Sequence, residues 1–561
     1  MYQHFASRLP DTTWTRRQIA RIRENAQPLV GTPVEPFSEE LFRQFYRTGS
    51  RDEYEAVYFQ TRRRLCAFTA LSLWEGDELW LAELEKALRA LLDEPTWALP
   101  AHVPEDANEV QRRETLDLFA CETAQAVAEI LSLLENRLDP ALVRALDEAL
   151  FARAVHPYEA QRRRWGASNW SAVCAGSLLM AYIYRFSERL SGVQDALVDS
   201  LFEFLSSYPV DGCCLEGPMY WEYGFGYFTY AAELLRSFTG GKTDLFAQEK
   251  VRAIARFGRD MYLEGRYVLP LADSRHTLRV NLGLMHFLAN EYDLGGLPLS
   301  ESSLFGRDAC FRFAPFLREF FWYEPKLDAP DTKKPPLSVY PEAGLVLCRQ
   351  NGWTCVCKAG HNGEPHNHND LGELVLFEGG TFVLDDPGLP EYTGLYSGEN
   401  RYKYFVCASS AGHSVPIVNG RFQAAGEEHR ALLLHADERE VVMDLSQAYD
   451  VPGLSLRRSV RFGESDLRLT DRFSGAASLV ERFVTRVCPV LDSGEARVGQ
   501  WRIRCGQAAR LSVQSARYRP RFRDFSDDAT DDLPVETLYQ IDFELVRPDG
   551  EASFQIIRGG Q

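Results

Sequence analysis

From residue 52 to residue 321 the apolar positions fall three and four apart, the spacing of one helix face. Windows 54–74, 112–134, 169–189, 193–207, 221–238, 249–262 and 279–292 each carry that spacing, with short Gly-, Pro- or Asp-containing links between them. So many consecutive helices predict antiparallel hairpins, arranged as a solenoid or closed into an α/α toroid. No residue motif returns at a fixed spacing, which argues against a recognisable repeat family. The stretch 326–336 is polar and proline-rich and predicts a linker. Beyond it the apolar period becomes two. Windows 344–349, 353–358, 373–377, 382–384, 431–435, 441–445, 457–462, 467–473, 502–505 and 540–545 read as strands, several joined by Gly-containing turns such as Glu378-Gly379-Gly380. Many strands with almost no helix predict an antiparallel β-sandwich. The expected organisation is multidomain, α then β: an extension over 1–50 packing on a helical domain over 51–325, the linker 326–336, and a β domain over 337–561.

Composition narrows the function. A chain of 561 residues is too long for one hydrophobic core, and 45% hydrophobic with 25% charged residues is ordinary for a soluble protein. A net charge of −18 argues against a general nucleic-acid binder, which needs a basic face. It leaves room for an anionic small substrate, because local arginines can override the global field. The twelve cysteines are unevenly spaced and read as reduced, mostly buried thiols of a reducing compartment. Cys355 and Cys357 alternate inside one strand-like run and read as core. The N-terminal residues lack an apolar export segment, and no stretch approaches ~18 unbroken apolar residues. The expectation is a cytoplasmic protein with no membrane partner.

The densest chemistry lies in Gly363-Glu364-Pro365-His366-Asn367-His368-Asn369-Asp370, followed by Asp385-Asp386-Pro387-Gly388 and by Gly412-His413. Two of eleven histidines stand one residue apart between a proline and a strand. On a strand they would share a face; at a strand start they can diverge, one toward a metal and one toward a substrate. His, Asp and His with an open position suit Zn²⁺, with Asp370 and Asn369 as partners that would fix a histidine tautomer. Buried hydrogen-bonded histidines without metal are the plainer alternative. A second cluster, Leu215-Glu216-Gly217-Pro218-Met219-Tyr220-Trp221-Glu222-Tyr223-Gly224, puts carboxylates, phenols and an indole at a helix start, which suits carbohydrate stacking and hydrogen bonding. It also reads as a helix N-terminus with an aromatic core stripe. Asn169-Trp170, after three arginines, either caps a helix or binds a substrate carboxylate. Arg275-His276, after Leu271-Ala272-Asp273-Ser274, is a weaker site of the same kind. In Asn400-Arg401-Tyr402-Lys403-Tyr404 a phenol stands between cations that would stabilise its phenolate; otherwise the run is a strand with alternating aromatic and basic faces.

Together these residues resemble the heparinase II/III-like polysaccharide lyases, a group that includes alginate and oligoalginate lyases. The likeness is strongest from His361 to Gln423, and looser at Glu216-Gly217-Pro218-x-Tyr220 and Asn169-Trp170. It implies an N-terminal (α/α) toroid followed by a C-terminal antiparallel β-sandwich, and β-elimination on a uronic-acid glycoside. Such an enzyme must neutralise the C6 carboxylate, remove the C5 proton and protonate the departing O4. By position Asn169 matches the carboxylate neutraliser, Tyr220 the acid–base tyrosine, His366 the catalytic histidine and Tyr402 a second tyrosine of some members. His368, Asp386 (or Asp385) and His413 match the zinc ligands. Trp170, Glu216, Tyr223, Arg275 and Arg401 are the expected substrate contacts, and Tyr223 is an alternative to Tyr220. Trp170 departs from members with a histidine beside the asparagine. The implied partner is a short acidic oligosaccharide or a polysaccharide; oligomeric state stays open, a homodimer included. A glycoside hydrolase using Glu216 and Glu222 is the main rival. A metallo-hydrolase is disfavoured because Leu371 stands where its motif needs a further histidine.

Overall fold

The computed structural model describes residues 4–302, 308–328, 334–389, 396, 398, 400–518, 535–546 and 550–559. The chain divides into two compact units. One comprises Met1–Tyr208, Tyr220–Ala255 and Arg279–Thr332; the other comprises Pro209–Met219, Arg256–Leu278 and Lys333–Gln561.

The first unit is an α/α toroid of helical hairpins. Helix Asp52–Glu75 starts with three acidic residues in its first turn, which suit the positive end of the helix dipole, and stops at Gly76 in the left-handed region, φ 71°. Asp117 caps helix Leu118–Leu134 by accepting from the Ala120 backbone N–H. That cap explains why the helix begins inside the predicted window 112–134. Helices Leu118–Leu134 and Asn169–Arg185 are buried nearly all round and pack against each other. Helix Asn169–Arg185 also packs on Gln194–Ser206 and Gly226–Phe238. Helices Thr13–Ala26, Glu39–Thr48, Glu78–Asp93, Pro140–Leu150 and Phe313–Phe321 were not among the predicted windows. The first two carry the stretch 1–50.

The second unit is built on antiparallel sheets. One sheet runs in chain order through Leu337–Tyr340, Leu345–Gln350, Trp353–Lys358, Leu374–Glu378 and Thr381–Leu384. A second has the order Ala509–Tyr518, Glu536–Leu545, Leu479–Thr485, Pro416–Val418. A larger, nine-stranded sheet includes Gly426–Ala436, Glu440–Asp444, Ser455–Phe462, Asp466–Ser474 and Glu551–Arg558. Residues from all three, among them Leu376, Phe483, Leu469, Phe543 and Phe554, form one apolar core, the interior of a β-sandwich. Trp353 and Trp501 meet edge to face there, with ring centroids 6.2 Å apart. Arg458 lies fully buried in the same core, forked onto Asp471 and shared with Glu481.

The sequence windows and the structure differ in places. The window 249–262 ends as helix Glu249–Asp260, and the hairpin of Tyr262–Glu264 with Tyr267–Val268 follows, in the β unit. Arg401–Tyr404 is a short helix instead of an alternating strand. Of the linker 326–336, residues 329–333 lie outside the described residues. All twelve cysteines are free thiols, and Cys355 and Cys357 are buried in strand Trp353–Lys358. Among the described residues no helix is long and apolar enough to cross a membrane.

Candidate active site and metal centre

Strand Thr381–Leu384 ends just before Asp385 and Asp386, so these neighbours leave the backbone in opposite directions. Asp386 turns into a buried cluster with His368, Asp370 and His413, where one ligand atom from each residue lies within 4.8 Å of the others. Asp385 turns away. Its carboxylate takes His276 Nε2 at 2.8 Å and Arg486 Nε at 2.5 Å, so it is not part of the donor set and its place there is corrected. Burial raises the Asp385 carboxyl, but His276 and Arg486 outweigh it and hold it below the usual range.

The donor set fits a metal ion. His368 Nε2 lies 3.3 Å from Asp273 Oδ1, and its buried Nδ1, without a hydrogen-bond partner, stands 3.8 Å from Asp386 Oδ1. His413 Nε2 donates to the Cys407 carbonyl at 2.7 Å, which leaves Nδ1 with a lone pair, 3.8 Å from Asp386 Oδ2 and 2.9 Å from Glu373 Oε1. Burial pushes His368 toward the neutral imidazole a metal needs. Burial, reinforced by Glu373, pushes Asp386 well up, a strain that a bound cation reverses. Asp370 gives both oxygens to the buried Lys358 ammonium, at 2.6 and 2.8 Å. The tautomer-fixing partners are therefore Asp273 and the Cys407 carbonyl. Asn369, expected in that role, instead donates to the Gln423 carbonyl.

His366 stands apart from the donor set, in the loop between strands Gly360–Asn362 and Leu374–Glu378. Its backbone is left-handed, φ 56°, which is uncommon for a residue with a Cβ. The ring is one-third exposed, Nδ1 sits 2.8 Å from Asp273 Oδ2, and Nε2 faces Glu216 Oε2 at 3.7 Å. Burial raises the Glu216 carboxyl, partly offset by His366. The Tyr396 hydroxyl donates to Asp273 Oδ1, and burial together with that carboxylate pushes the phenol up. Burial would raise Asp273 too, but its hydrogen bonds to His366 and His368 win and keep it well below the carboxylate range. Arg401 Nη2 donates to the Asn367 carbonyl, to Asn367 Oδ1 and to the Tyr402 hydroxyl, at 2.7–2.8 Å, while Tyr402 donates to Asn367 Oδ1 at 2.8 Å. Arg401 and Tyr402 are thus tied to the residue between the two histidines. Arg275 is half-buried, two residues from Asp273.

In the toroid, Asn169 opens helix Asn169–Arg185 with Ser168 at the cap position, so its own side chain is not the cap. Its Oδ1 is buried without a hydrogen-bond partner and rests on Gly224, where a Cβ would come within 1.8 Å. Gly224 belongs to a π-helical turn, Trp221–Phe225, that widens the start of the following helix. Tyr223 donates to Glu122 at 2.9 Å with the Arg312 guanidinium over its ring, and burial and Glu122 push its phenol well up. Tyr220 is half-buried in the toroid. Trp170 sets its edge against His102. Glu222 is half-buried in the toroid, whereas Glu216 belongs to the β unit.

Sequence reasoning missed Asp273, Tyr396, Asn367 and Lys358 as parts of the site. Asp273 lies 93 positions from His366, and nothing local announces the pairing.

The helical toroid and the β-sandwich are a fold that this chain shares with solved heparan sulfate and chondroitin lyases. Residues 332–524 match the family described as heparinase II/III-like, C-terminal. No curated protein matches the sequence significantly. Among solved structures, a heparinase III gene product with methylated lysines superposes with a TM-score of 0.66 at 12% identity, covering 100% of this chain and 86% of that one. A heparan sulfate lyase from Pedobacter heparinus gives 0.62 at 16% identity, covering 100% and 85%. A variant of a chondroitin AC lyase from Streptomyces coelicolor A3 gives 0.53 at 13% identity, covering 98% and 82%.

Proposed function

We propose that this protein is a polysaccharide lyase that cleaves uronic-acid-containing glycans by β-elimination. The observation that carries the reading is the arrangement around the family-matched segment. His366 is held by a carboxylate with its second nitrogen outward, and Arg401 and Tyr402 are tied to the adjacent Asn367. In the reaction the C5–H bond breaks, its electron pair forms the C4–C5 double bond, and the C4–O4 bond breaks as O4 takes a proton. Tyr220 and His366 are assigned the proton transfers, Asn169 the neutralisation of the C6 carboxylate and Tyr402 a supporting role. Neutralisation matters because a charged carboxylate makes the C5 proton poorly acidic; an amide donor relieves that charge as it delocalises. Arg401, Glu216, Trp170 and Arg275 are assigned to substrate binding.

His368, His413 and Asp386 would hold a Zn²⁺ ion, with Asp370 and Glu373 beside it. When bound, the ion neutralises buried carboxylates and cross-links the loops that carry His366 and His413. The heparan sulfate and chondroitin lyases of like fold motivate acidic glycans as the substrate panel. Cytoplasmic action on short oligosaccharides is part of the same proposal, and cell fractionation tests it.

The test is ultraviolet absorbance during incubation with acidic oligosaccharides, followed by mass spectrometry of the products. Elimination gives rising absorbance from the new double bond and products whose masses sum to that of the substrate. Products heavier by one water, without absorbance, would instead support the hydrolase reading with Glu216 and Glu222.

A further inference from the structure

The Asp273 side chain touches both histidines of the His366-x-His368 pair. One oxygen, Oδ2, meets His366 Nδ1; the other, Oδ1, meets His368 Nε2 and accepts from Tyr396. The carboxylate is fully buried, so no solvent competes for these contacts. An ionised carboxylate only accepts, so each facing ring nitrogen carries its proton. In the neutral rings the lone pairs then fall on the two far nitrogens: His366 Nε2, on the side of Glu216, and His368 Nδ1, inside the donor cluster.

We propose that Asp273 is a positioning residue that couples the metal ligand His368 to His366, fixing both rings in the tautomer that turns their lone pairs away from it. The proposal rests on the reading of His366 as the proton-handling group and His368 as a metal ligand. With a cation held in the donor cluster, the His368 ring would lose electron density and its Nε2–H would become a stronger donor to Asp273. The carboxylate then has less charge to share with His366 Nδ1–H. Occupancy of the metal centre is thereby felt at His366 without any contact between the ion and that ring. The left-handed backbone of His366, uncommon for a residue with a Cβ, is held in part by this hydrogen bond.

An amide cannot replace this carboxylate. In Asp273→Asn one end of the side chain accepts and the other donates, so one histidine must give up its proton at the facing nitrogen. If His366 yields, its proton moves to Nε2 and the lone pair turns inward. If His368 yields, the proton moves to Nδ1 and blocks the metal.

The test reads nitrogen, not turnover, so it stands or falls separately from the lyase assignment. Histidine-selective ¹⁵N NMR is recorded on the full chain, with Zn²⁺ bound and after chelation, and with the His366 signal assigned by its absence in His366→Gln. We expect the wild type to show His366 protonated at Nδ1 and its ring signals to shift on Zn²⁺ removal, while exposed His435 stays still. For Asp273→Asn we expect either Zn²⁺ content lost or the His366 proton at Nε2. Retention of both the metal and the Nδ1 proton would overturn the proposal. Should that variant not fold, a wild-type His366 signal indifferent to Zn²⁺ removal overturns it equally.

Discussion

Replacing Gly224 with alanine tests whether the π-helical turn of the toroid exists to seat Asn169. The added Cβ would fall 1.8 Å from Asn169 Oδ1 and 2.7–2.8 Å from two ring atoms of Phe204. A carbon and an amide oxygen approach no closer than about 3.3 Å, so the amide must retreat by roughly 1.5 Å. Helix propensity works the other way, since alanine in place of glycine gains about 1 kcal/mol. Overpacking of a filled interior costs about 1–3 kcal/mol, so the net loss of stability is about 0–2 kcal/mol and the variant folds. Catalysis has no such offset. Misplacing a group that contacts substrate by about 1 Å costs about 10²-fold in rate, or about 2.7 kcal/mol of activation energy. The assay is kcat/KM on an acidic oligosaccharide by ultraviolet absorbance, beside a thermal melt. Gly192→Ala, where the new methyl meets open space, is the control and is expected to match the wild type. A folded Gly224→Ala within twofold of wild-type kcat/KM would refute the role given to Asn169 and to the turn beneath it.

Three further outcomes are expected. Tyr223→Phe loses one hydrogen bond to Glu122, which keeps Arg312, so it costs about 1 kcal/mol in a melt and retains turnover, whereas Tyr220→Phe loses at least about 10²-fold in kcat. Arg458→Leu leaves Asp471 and Glu481 buried without their cation and destabilises the β-sandwich by about 3–5 kcal/mol in urea titration; near-wild-type stability would refute the role of this ion-pair network in the core. His286 is pushed down to about 4 by burial, against an ordinary value of 6.5. Between those pH values the unfolded chain binds the extra proton, so this histidine's contribution is present above 6.5 and lost as pH falls toward 4. His286→Gln should shrink the drop in unfolding free energy between pH 7 and pH 4.5 by about 2–3 kcal/mol, and an unchanged drop would remove His286 from the acid limb.

The sequence by itself determined the two-part architecture, because burying one face of a helix and one face of a strand demands apolar residues at different periods. Strand Trp353–Lys358 was legible to the residue, and the start of helix Asn169–Arg185 likewise. Helices Thr13–Ala26 and Glu78–Asp93 bury residues at clear helical spacing, Leu81, Leu84, Leu88 and Leu91 among them, and were legible by the same rule although they lie outside the windows read as helical. The site was half legible. His366, His368, Asp386 and His413 announce themselves as chemistry-bearing residues in a short stretch of chain, a local property. Which of Asp385 and Asp386 faces the His/Asp donor cluster is a question of strand parity, and an uncertain strand end leaves parity open. That Asp273 bridges two histidines 93 and 95 positions away, and that Lys358 claims Asp370, are facts of tertiary packing. Buried charges choose partners by distance in space under low dielectric, and sequence separation carries no trace of that distance.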